Sequence, residues 1–481
     1  MEPETLVTGL VAGFGRSDIT PHPTYPNGMW MAQTHLRANG IHRRLYVNCL
    51  AFGAGDRRVL LLNYDLCILS NRQVSEIRAR VAGRTGVPED FVWLYCTHNH
   101  AGPVTQDFYD REGADEVQAY IAALPERSVE AAERALAAMR AARARGGHGT
   151  CRIGINRDRL YEGRIVTGPN PAGVTDPRVD VLRVDAVDGE PIVAVVTYGS
   201  HPTYLGPDNK LVSPDYPGVT RDVFESLVGV PCMFLLSGAG NVGPLQGFEG
   251  TIEHAERDGT ILACEAAQLF LGIDTTDAEV ELTSVIESGA PLGVVTRRPR
   301  AGAQTLRIDV RRVGLPTGNP VPTVYDTAVR DLEEGRRRLE ELRAAGAPAP
   351  EVDQAVQQVL RYQLRIDRGN AYMSEPTYDV AVRALSFGDT CFVSLECEAY
   401  AELALAIREQ SPFQETVFAA YEGSDVIYVA PARYYEPPVP MQVFNSPFAS
   451  SAADVLVRGS VETLHALRAK GRQPARPITM Q

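Results

Sequence analysis

His98 and His100, two residues apart in Thr97-His98-Asn99-His100-Ala101-Gly102, are the residues of this chain whose type and spacing most suit chemistry. They follow an apolar run, Phe91-Val92-Trp93-Leu94-Tyr95-Cys96, that reads as a buried strand, and Gly102-Pro103 turns the chain afterwards. On extended backbone, side chains repeat with period two, so the spacing predicts two imidazoles aimed the same way from a strand end. Converging imidazoles suit a metal site or a proton relay. The alternative is a polar turn with satisfied histidines.

A third histidine has the same setting. The run Ile192-Val193-Ala194-Val195-Val196-Thr197-Tyr198 leads into Gly199-Ser200-His201-Pro202. Ligands of open α/β sheets gather at strand ends. His201 alone reads as structural; paired with His98 it becomes a second metal ligand. Catalytic zinc takes three protein ligands, mostly His and carboxylate, and keeps a position for water. The stretch Val393-Ser394-Leu395-Glu396-Cys397-Glu398 offers two carboxylates on one strand face. Glu398 also reads as a first-turn acid of the helix that follows. In Asp425-Val426-Ile427-Tyr428-Val429, Tyr428 reads as a buried, hydrogen-bonded tyrosine.

Gly238-Ala239-Gly240-Asn241-Val242-Gly243 carries the spacing of a dinucleotide-binding loop. Pro244 follows at once, and no second strand ending in an acid stands at the required distance. The nucleotide-cofactor oxidoreductase reading is therefore the minor one. A glycine loop that lets backbone approach a ligand closely is the better one.

The elements that position these residues alternate in type. Strands are expected at 59–64, 91–97, 149–154, 178–185, 191–198 and 232–237, and helices at 73–83, 115–145 (interrupted near Pro125), 217–228 and 252–272. This pattern predicts an α/β fold with a mixed β-sheet core and flanking helices. Further strands are expected at 276–288, 304–313, 379–386 and 390–395, with helices at 399–409 and 449–470. Two polar helices over about 324–346 and 351–368 read as a hairpin insertion. The charge run at 333–341 reads as its solvated face. The stretch 289–303 reads as loop.

Length and composition narrow the function classes. The 481 residues carry 47 Lys and Arg against 60 Asp and Glu, a net charge of −13, which disfavours nucleic acid and anionic membranes as partners. The same charge disfavours strongly anionic substrates, unless a local Arg157 overrules it. No run reaches the ~20 apolar residues of a membrane span, so no stable membrane association is expected. Met1-Glu2-Pro3-Glu4-Thr5 lacks a secretory pattern, which predicts a cytoplasmic protein. The eight cysteines show no C-x-x-C pairing and read as reduced thiols.

Taken in order, these segments resemble the N-terminal catalytic domain of the neutral/alkaline non-lysosomal ceramidase family, which are zinc-dependent amidases. Gly13-Phe14-Gly15-Arg16-Ser17-Asp18-Ile19-Thr20 is similar to the family's opening motif, and Thr97-His98-Asn99-His100-Ala101-Gly102-Pro103 to its T-H-T-H-S-G-P. Gly154-Ile155-Asn156-Arg157 resembles its I-N-R segment, and Ser213-Pro214-Asp215-Tyr216-Pro217-Gly218 its S-x-D-x-x-G loop. His201, Glu398 and Tyr428 stand where the family has its second zinc histidine, the glutamate of P-G-E and the tyrosine of G-Y.

The resemblance implies one catalytic domain over residues 1–481 with zinc held by His98, His201, Glu398 and Tyr428. Arg157 would stabilise an oxyanion or grip the substrate, and His100 would carry a proton to the leaving nitrogen or orient its loop. Asn156, Gly28 and Gly243 would line the substrate site. Asp65 and Asp215 are expected to be supporting or structural.

The departures also carry information. Gly240-Asn241-Val242-Gly243-Pro244 puts glycine where ceramidases carry a serine, which excludes a serine nucleophile there. The family's C-terminal immunoglobulin-like domain is expected to have no counterpart, since the sequence stops soon after the helix expected at 449–470. The expected activity is metal-assisted hydrolysis of an amide, or an ester or lactone, of a small molecule. Lyase or cyclisation chemistry at the same metal site is the alternative.

Overall fold

The computed structural model describes residues 9–30, 32–33, 35–107, 112–276, 278–298, 304–423 and 427–469. Eight strands form a mixed sheet in the order β13 (Cys232–Leu236), β11 (Pro191–Tyr198), β10 (Arg178–Ala186), β6 (Arg140–Thr150), β1 (Val11–Asp18), β3 (Tyr46–Ala54), β4 (Arg57–Tyr64) and β5 (Val92–Cys96). The pairings at both edges, β4 with β5 and β11 with β13, are parallel, and those between are antiparallel. The two ends of the sheet meet. Asn63 in β4 donates its amide to the Phe234 carbonyl of β13 at 2.7 Å. That closure brings the segments after β5 and β11 together.

A second sheet, β17 (Leu306–Pro316), β18 (Thr377–Phe387), β19 (Thr390–Leu395) and β21 (Glu415–Ala419), packs on one face of the first. Leu50, Phe52, Trp93 and Leu235 interdigitate there with Leu385, Phe387, Phe392 and Val417. Elsewhere the large sheet is covered by α1 (Asn71–Thr85) and α2 (Ala114–Ala137), and by α3 (Asp215–Val228) and α4 (Glu253–Gly272). The mixed α/β architecture agrees with the alternation in the sequence.

The remaining elements are small or peripheral. Pairs of short strands join β2 (Gly40–Ile41) to β12 (Leu211–Val212), β7 (Gly154–Asn156) to β14 (Val242–Pro244), and β8 (Asp158–Tyr161) to β9 (Arg164–Thr167). The polar hairpin is α5 (Val324–Ala344) and α6 (Ala349–Tyr372), and α7 (Ala401–Glu409), α8 (Met441–Phe444) and α9 (Ala452–Ala469) follow later. The charge run on α5 is exposed and internally paired, as in Arg337 with Glu341 at 2.9 Å.

Several elements differ from the local pattern. Residues 140–145, alanine-rich and expected to extend a helix over 115–145, lie instead in β6 in the middle of the sheet. Pairing with β1 on one side and β10 on the other outweighs helix propensity. Pro125 does not interrupt α2, which runs through it. Strands β1 and β3 precede the first expected strand. At Gly13 and Gly15 of β1 a Cβ would lie 2.2 Å from the α2 carbonyls of Ala135 and Ala131, so the strand is glycine-marked because a helix lies directly on it. The loop expected at 289–303 contains β16 (Pro291–Arg298), which pairs with β15 (Glu279–Glu287) as a fully exposed hairpin. Residues 299–303, like Asp425, Val426 and Met1–Thr5, lie outside the described residues.

Candidate metal centre

His98 is not on extended backbone. Its φ of 60° puts it in the left-handed region, so period-two alternation does not aim its ring. Hydrogen bonds do. Its N–H donates to Leu66 O at 2.9 Å, and its Nδ1 pairs with the Cys67 carbonyl at 2.9 Å. A carbonyl on Nδ1 selects the tautomer that presents a lone pair at Nε2. His201, after β11, is anchored by its N–H to Val242 O at 2.9 Å. The two rings stand with centroids 4.7 Å apart.

Glu398 completes the group. It occupies β20 (Glu398–Ala399), paired in register with β22 (Tyr428–Val429), so Glu398 and Tyr428 lie side by side. Helix α7 starts only at Ala401, which removes the first-turn reading of Glu398. The chain bends after β19, and Glu396 goes elsewhere; its Oε2 accepts from the Ala381 N–H at 3.1 Å. Donor atoms of His98, His201 and Glu398 all lie within 4.8 Å of one another, and all three residues are buried. His98 Nε2 faces Glu398 Oε2 at 3.6 Å.

The donor set fits a divalent cation on two observations. Glu398 Oε2 is buried without a hydrogen-bond partner among the described residues, although such oxygens are normally satisfied. The imidazoles beside it are neutral, the form that ligates. Burial drives His98 and His201 well below the usual histidine range, and neighbouring His100 and Arg157 push the same way. Burial also pushes the Glu398 carboxyl up to about 7, against the hydrogen bond from Tyr428 and the charge of Arg157. Tyr428 touches the site through that bond.

Tyr421, which sequence patterns did not single out, sits between two of the donors. Its hydroxyl lies 3.4 Å from His201 Nδ1 and hydrogen-bonds Glu398. Like His98 it has a left-handed φ, 57°, and strained backbone of this kind concentrates at functional sites. Its only signal in the sequence is an aromatic residue after a strand, in Ala420-Tyr421-Glu422-Gly423.

The flanking residues divide into those that face the centre and those that hold it. His100 is 5.2 Å from the His98 ring and 5.3 Å from that of His201, centroid to centroid, and stacks on Trp30 at 4.9 Å. Both its ring nitrogens are buried without partners among the described residues, and burial lowers it to about 3. Arg157 is buried. Its Nε and Nη2 donate to Gly240 O at 3.1 and 2.8 Å, and Nη2 also reaches the Tyr428 hydroxyl at 3.2 Å. Nη1 has no hydrogen bond among the described residues.

Asn156 turns its amide to its own loop, donating to Val174 O at 3.0 Å and accepting from Asp158 N at 3.0 Å. Gly28 supports the histidine loop from behind: its N–H donates to Gly102 O at 2.9 Å, and its φ of 83° requires glycine. A Cβ at Gly243 would meet only Arg157, at 3.4 Å. Asp65 pairs with the buried Arg221, and Asp215 accepts from the N–H groups of Leu205 and Tyr216. Both are structural.

The glycine loop is explained by the backbone of β20. A Cβ at Gly240 would press on Tyr400 at 2.8 Å and on the carbonyls of Ala399 and Glu398 at 3.1 Å. The loop approaches the strand that carries the glutamate, where a ligand was expected. It leads into β14 and not into a helix, so no helix N-terminus stands ready for a pyrophosphate.

Residues 10–232 match the model of the neutral/alkaline non-lysosomal ceramidase N-terminal region. Over those residues the chain is similar to that family. Neutral ceramidase from Pseudomonas aeruginosa is 27% identical over 246 residues, which is 48% of this chain and 36% of that protein. The chain thus matches about a third of the curated relative's length. A crystal structure of neutral ceramidase from Pseudomonas aeruginosa superposes with a TM-score of 0.65 at 18% identity, covering 98% of this chain and 76% of that one. A ceramidase complexed with C2 gives 0.63 at 17% identity, covering 98% and 77%. The fold is thus that of the neutral ceramidases. The ceramidase match in sequence contains His98, His100, Arg157 and His201; Glu398 and Tyr428 lie beyond it and reach the centre through the fold.

Proposed function

We propose that this chain is a metal-dependent hydrolase that cleaves the amide bond of a small molecule, with zinc as the metal. The carrying observation is the convergence of His98, His201 and Glu398 from three distant segments, with one carboxylate oxygen left without a hydrogen bond. Kinship with amide-cleaving enzymes supports the bond type.

His98, His201 and Glu398 would hold the ion, with the Tyr428 hydroxyl alongside. A zinc ion in such a set supplies an acidified water near neutral pH and polarises a carbonyl. The protein does the rest. Arg157 Nη1 is available to a developing oxyanion, in a dry setting where a fixed donor counts most. His100 has two free ring nitrogens, so it can accept a proton on one and release one toward the leaving nitrogen. Tyr421 ties His201 to Glu398 and keeps both in place. Trp30 holds the His100 ring and anchors itself through Nε1 to Leu205 O at 3.0 Å.

Metal analysis of the purified protein tests this reading. About one equivalent of zinc is expected in wild type, with loss of metal and turnover in His98→Ala and His201→Ala. Wild type without metal, or both variants retaining it, overturns the reading. Turnover in oxygen-labelled water separates hydrolysis from lyase or cyclisation chemistry, because only hydrolysis places the label in a product.

A further inference from the structure

A groove of about 410 Å³ opens beside the metal centre, between α6 and the loops before α1 and α2. Its walls continue into the site. Ile68 follows Cys67, whose carbonyl aims His98. Met29 donates its N–H to His100 O at 3.0 Å. Asn445 precedes Ser446, whose hydroxyl donates to the Tyr428 carbonyl at 2.8 Å.

Three arginines of α6 line the far wall: Arg361, Arg365 and Arg368. Positions i, i+4 and i+7 share one helix face, so like charges are stacked over two turns. No carboxylate of the described residues pairs with Arg361 or Arg365. Arg365 rests over the Tyr362 ring at 5.5 Å. Asp107, an acid in the same groove, is already held by Ser70, Arg72 and Gln73. On neighbouring α5 several arginines are paired, as in Arg337 with Glu341 at 2.9 Å and Arg330 with Asp331 at 3.3 Å. Arg361 and Arg365, two half-buried cations with no carboxylate among the described residues, cost stability and are expected where a ligand supplies the missing charge. Burial and the charges of Arg365 and Arg368 bring Arg361 down to about 10, which reports the same crowding.

We infer that the substrate carries an anionic group, a carboxylate or a phosphate, and that Arg361 and Arg365 bind it while the amide bond lies at the metal centre. This rests on the hydrolase reading above and specifies its substrate class. The net charge of −13 gives the opposite expectation, and the local field overrides it.

Three matched amides test the inference: N-lauroylethanolamine, which is neutral; N-lauroylglycine, a carboxylate; and N-lauroyl-phosphoethanolamine, a phosphate. Wild type is expected to favour at least one anionic amide over the neutral one by roughly tenfold or more in kcat/KM. The ratio should collapse toward one in Arg361→Gln/Arg365→Gln and return in the double Lys variant. Which anion gains more decides between carboxylate and phosphate. A wild-type ratio near one, or a ratio unchanged in the double variant, overturns the inference. If the metal-loaded protein cleaves none of the three, the hydrolase reading fails by itself, and equilibrium binding of N-lauroylglycine decides the groove. Binding that the Gln variant loses supports it; equal binding refutes it. Circular dichroism melting checks the fold, and Arg365→Gln alone repeats the comparison should the double variant unfold.

Discussion

At the metal centre the buried cation Arg157 is answered by the Gly240 carbonyl, the Tyr428 hydroxyl and the nearby Glu398 carboxyl. Along the groove Arg361 and Arg365 sit one helical turn apart, with no carboxylate against either among the described residues. The first region is organised before any ligand arrives: its imidazoles are neutral and its tyrosines bridge donors. The second is left electrostatically open. On the function proposed above, this difference separates the place where a reaction is organised from the place where a substrate is chosen. Geometry around a reacting atom must be preset, whereas a recognition surface gains specificity by leaving charge for the ligand to complete.

A third buried cluster calibrates the contrast. Arg408 reaches Asp176 and Asp180, and Asp180 also takes Arg178 at 2.5 Å. Removing Arg408 would leave the buried Asp176 without a cation and Asp180 with Arg178 alone. Arg408→Met is therefore expected to cost about 3–5 kcal/mol in denaturant unfolding. A loss below about 1 kcal/mol would show that answered charges here contribute little, and would blunt the comparison.

At the centre, Tyr421→Phe removes the hydroxyl shared by His201 and Glu398. Metal affinity or kcat/KM should fall about 10–100-fold with little change in fold. An unchanged metal dissociation constant would mean that the bridge is incidental.

The Glu398 carboxyl gives a pH signature. Its folded value, about 7, lies above the ordinary value of about 4.3. The unfolded chain therefore releases this proton first, and the contribution of Glu398 to stability, full below about pH 4.3, is lost as pH rises through about 7. In metal-free protein, wild type should weaken relative to Glu398→Gln across that window. Bound metal should abolish the difference, because it stabilises the carboxylate. Parallel pH curves for the two proteins would count against the preset centre.

The smallest effect is expected at Arg361. Arg361→Gln should leave stability within about 0.5 kcal/mol, or raise it by relieving repulsion. A large destabilisation would mean that the arginine holds the hairpin rather than a ligand.

Much of the centre was legible in one dimension. The apolar runs ending at Cys96 and Tyr198 mark His98 and His201 as rim residues, and both reach the site. The common aim of His98 and His100 was argued from extended backbone, and a left-handed residue achieves the meeting instead. Glu396 and Glu398 looked equivalent until the bend after β19 separated them. Tyr421 carried too weak a local signal, since a lone aromatic after a strand is ordinary in a core.

The sequence alone determined the kinds of donor, their order along the chain, the alternation of strands and helices, and the polar character of the α5–α6 hairpin. Each depends on patterns spanning about ten residues, where periodicity and propensity act. Only the tertiary structure decided that alanine-rich 140–145 becomes a central strand, that the glycine loop meets β20, and that one face of α6 sets three arginines along a groove. Those outcomes are set by partners far away in sequence: Tyr95 meets Ser394, and Arg157 meets Tyr428. Burial and pairing across such separations outweigh the roughly 1 kcal/mol per residue that distinguishes local conformations.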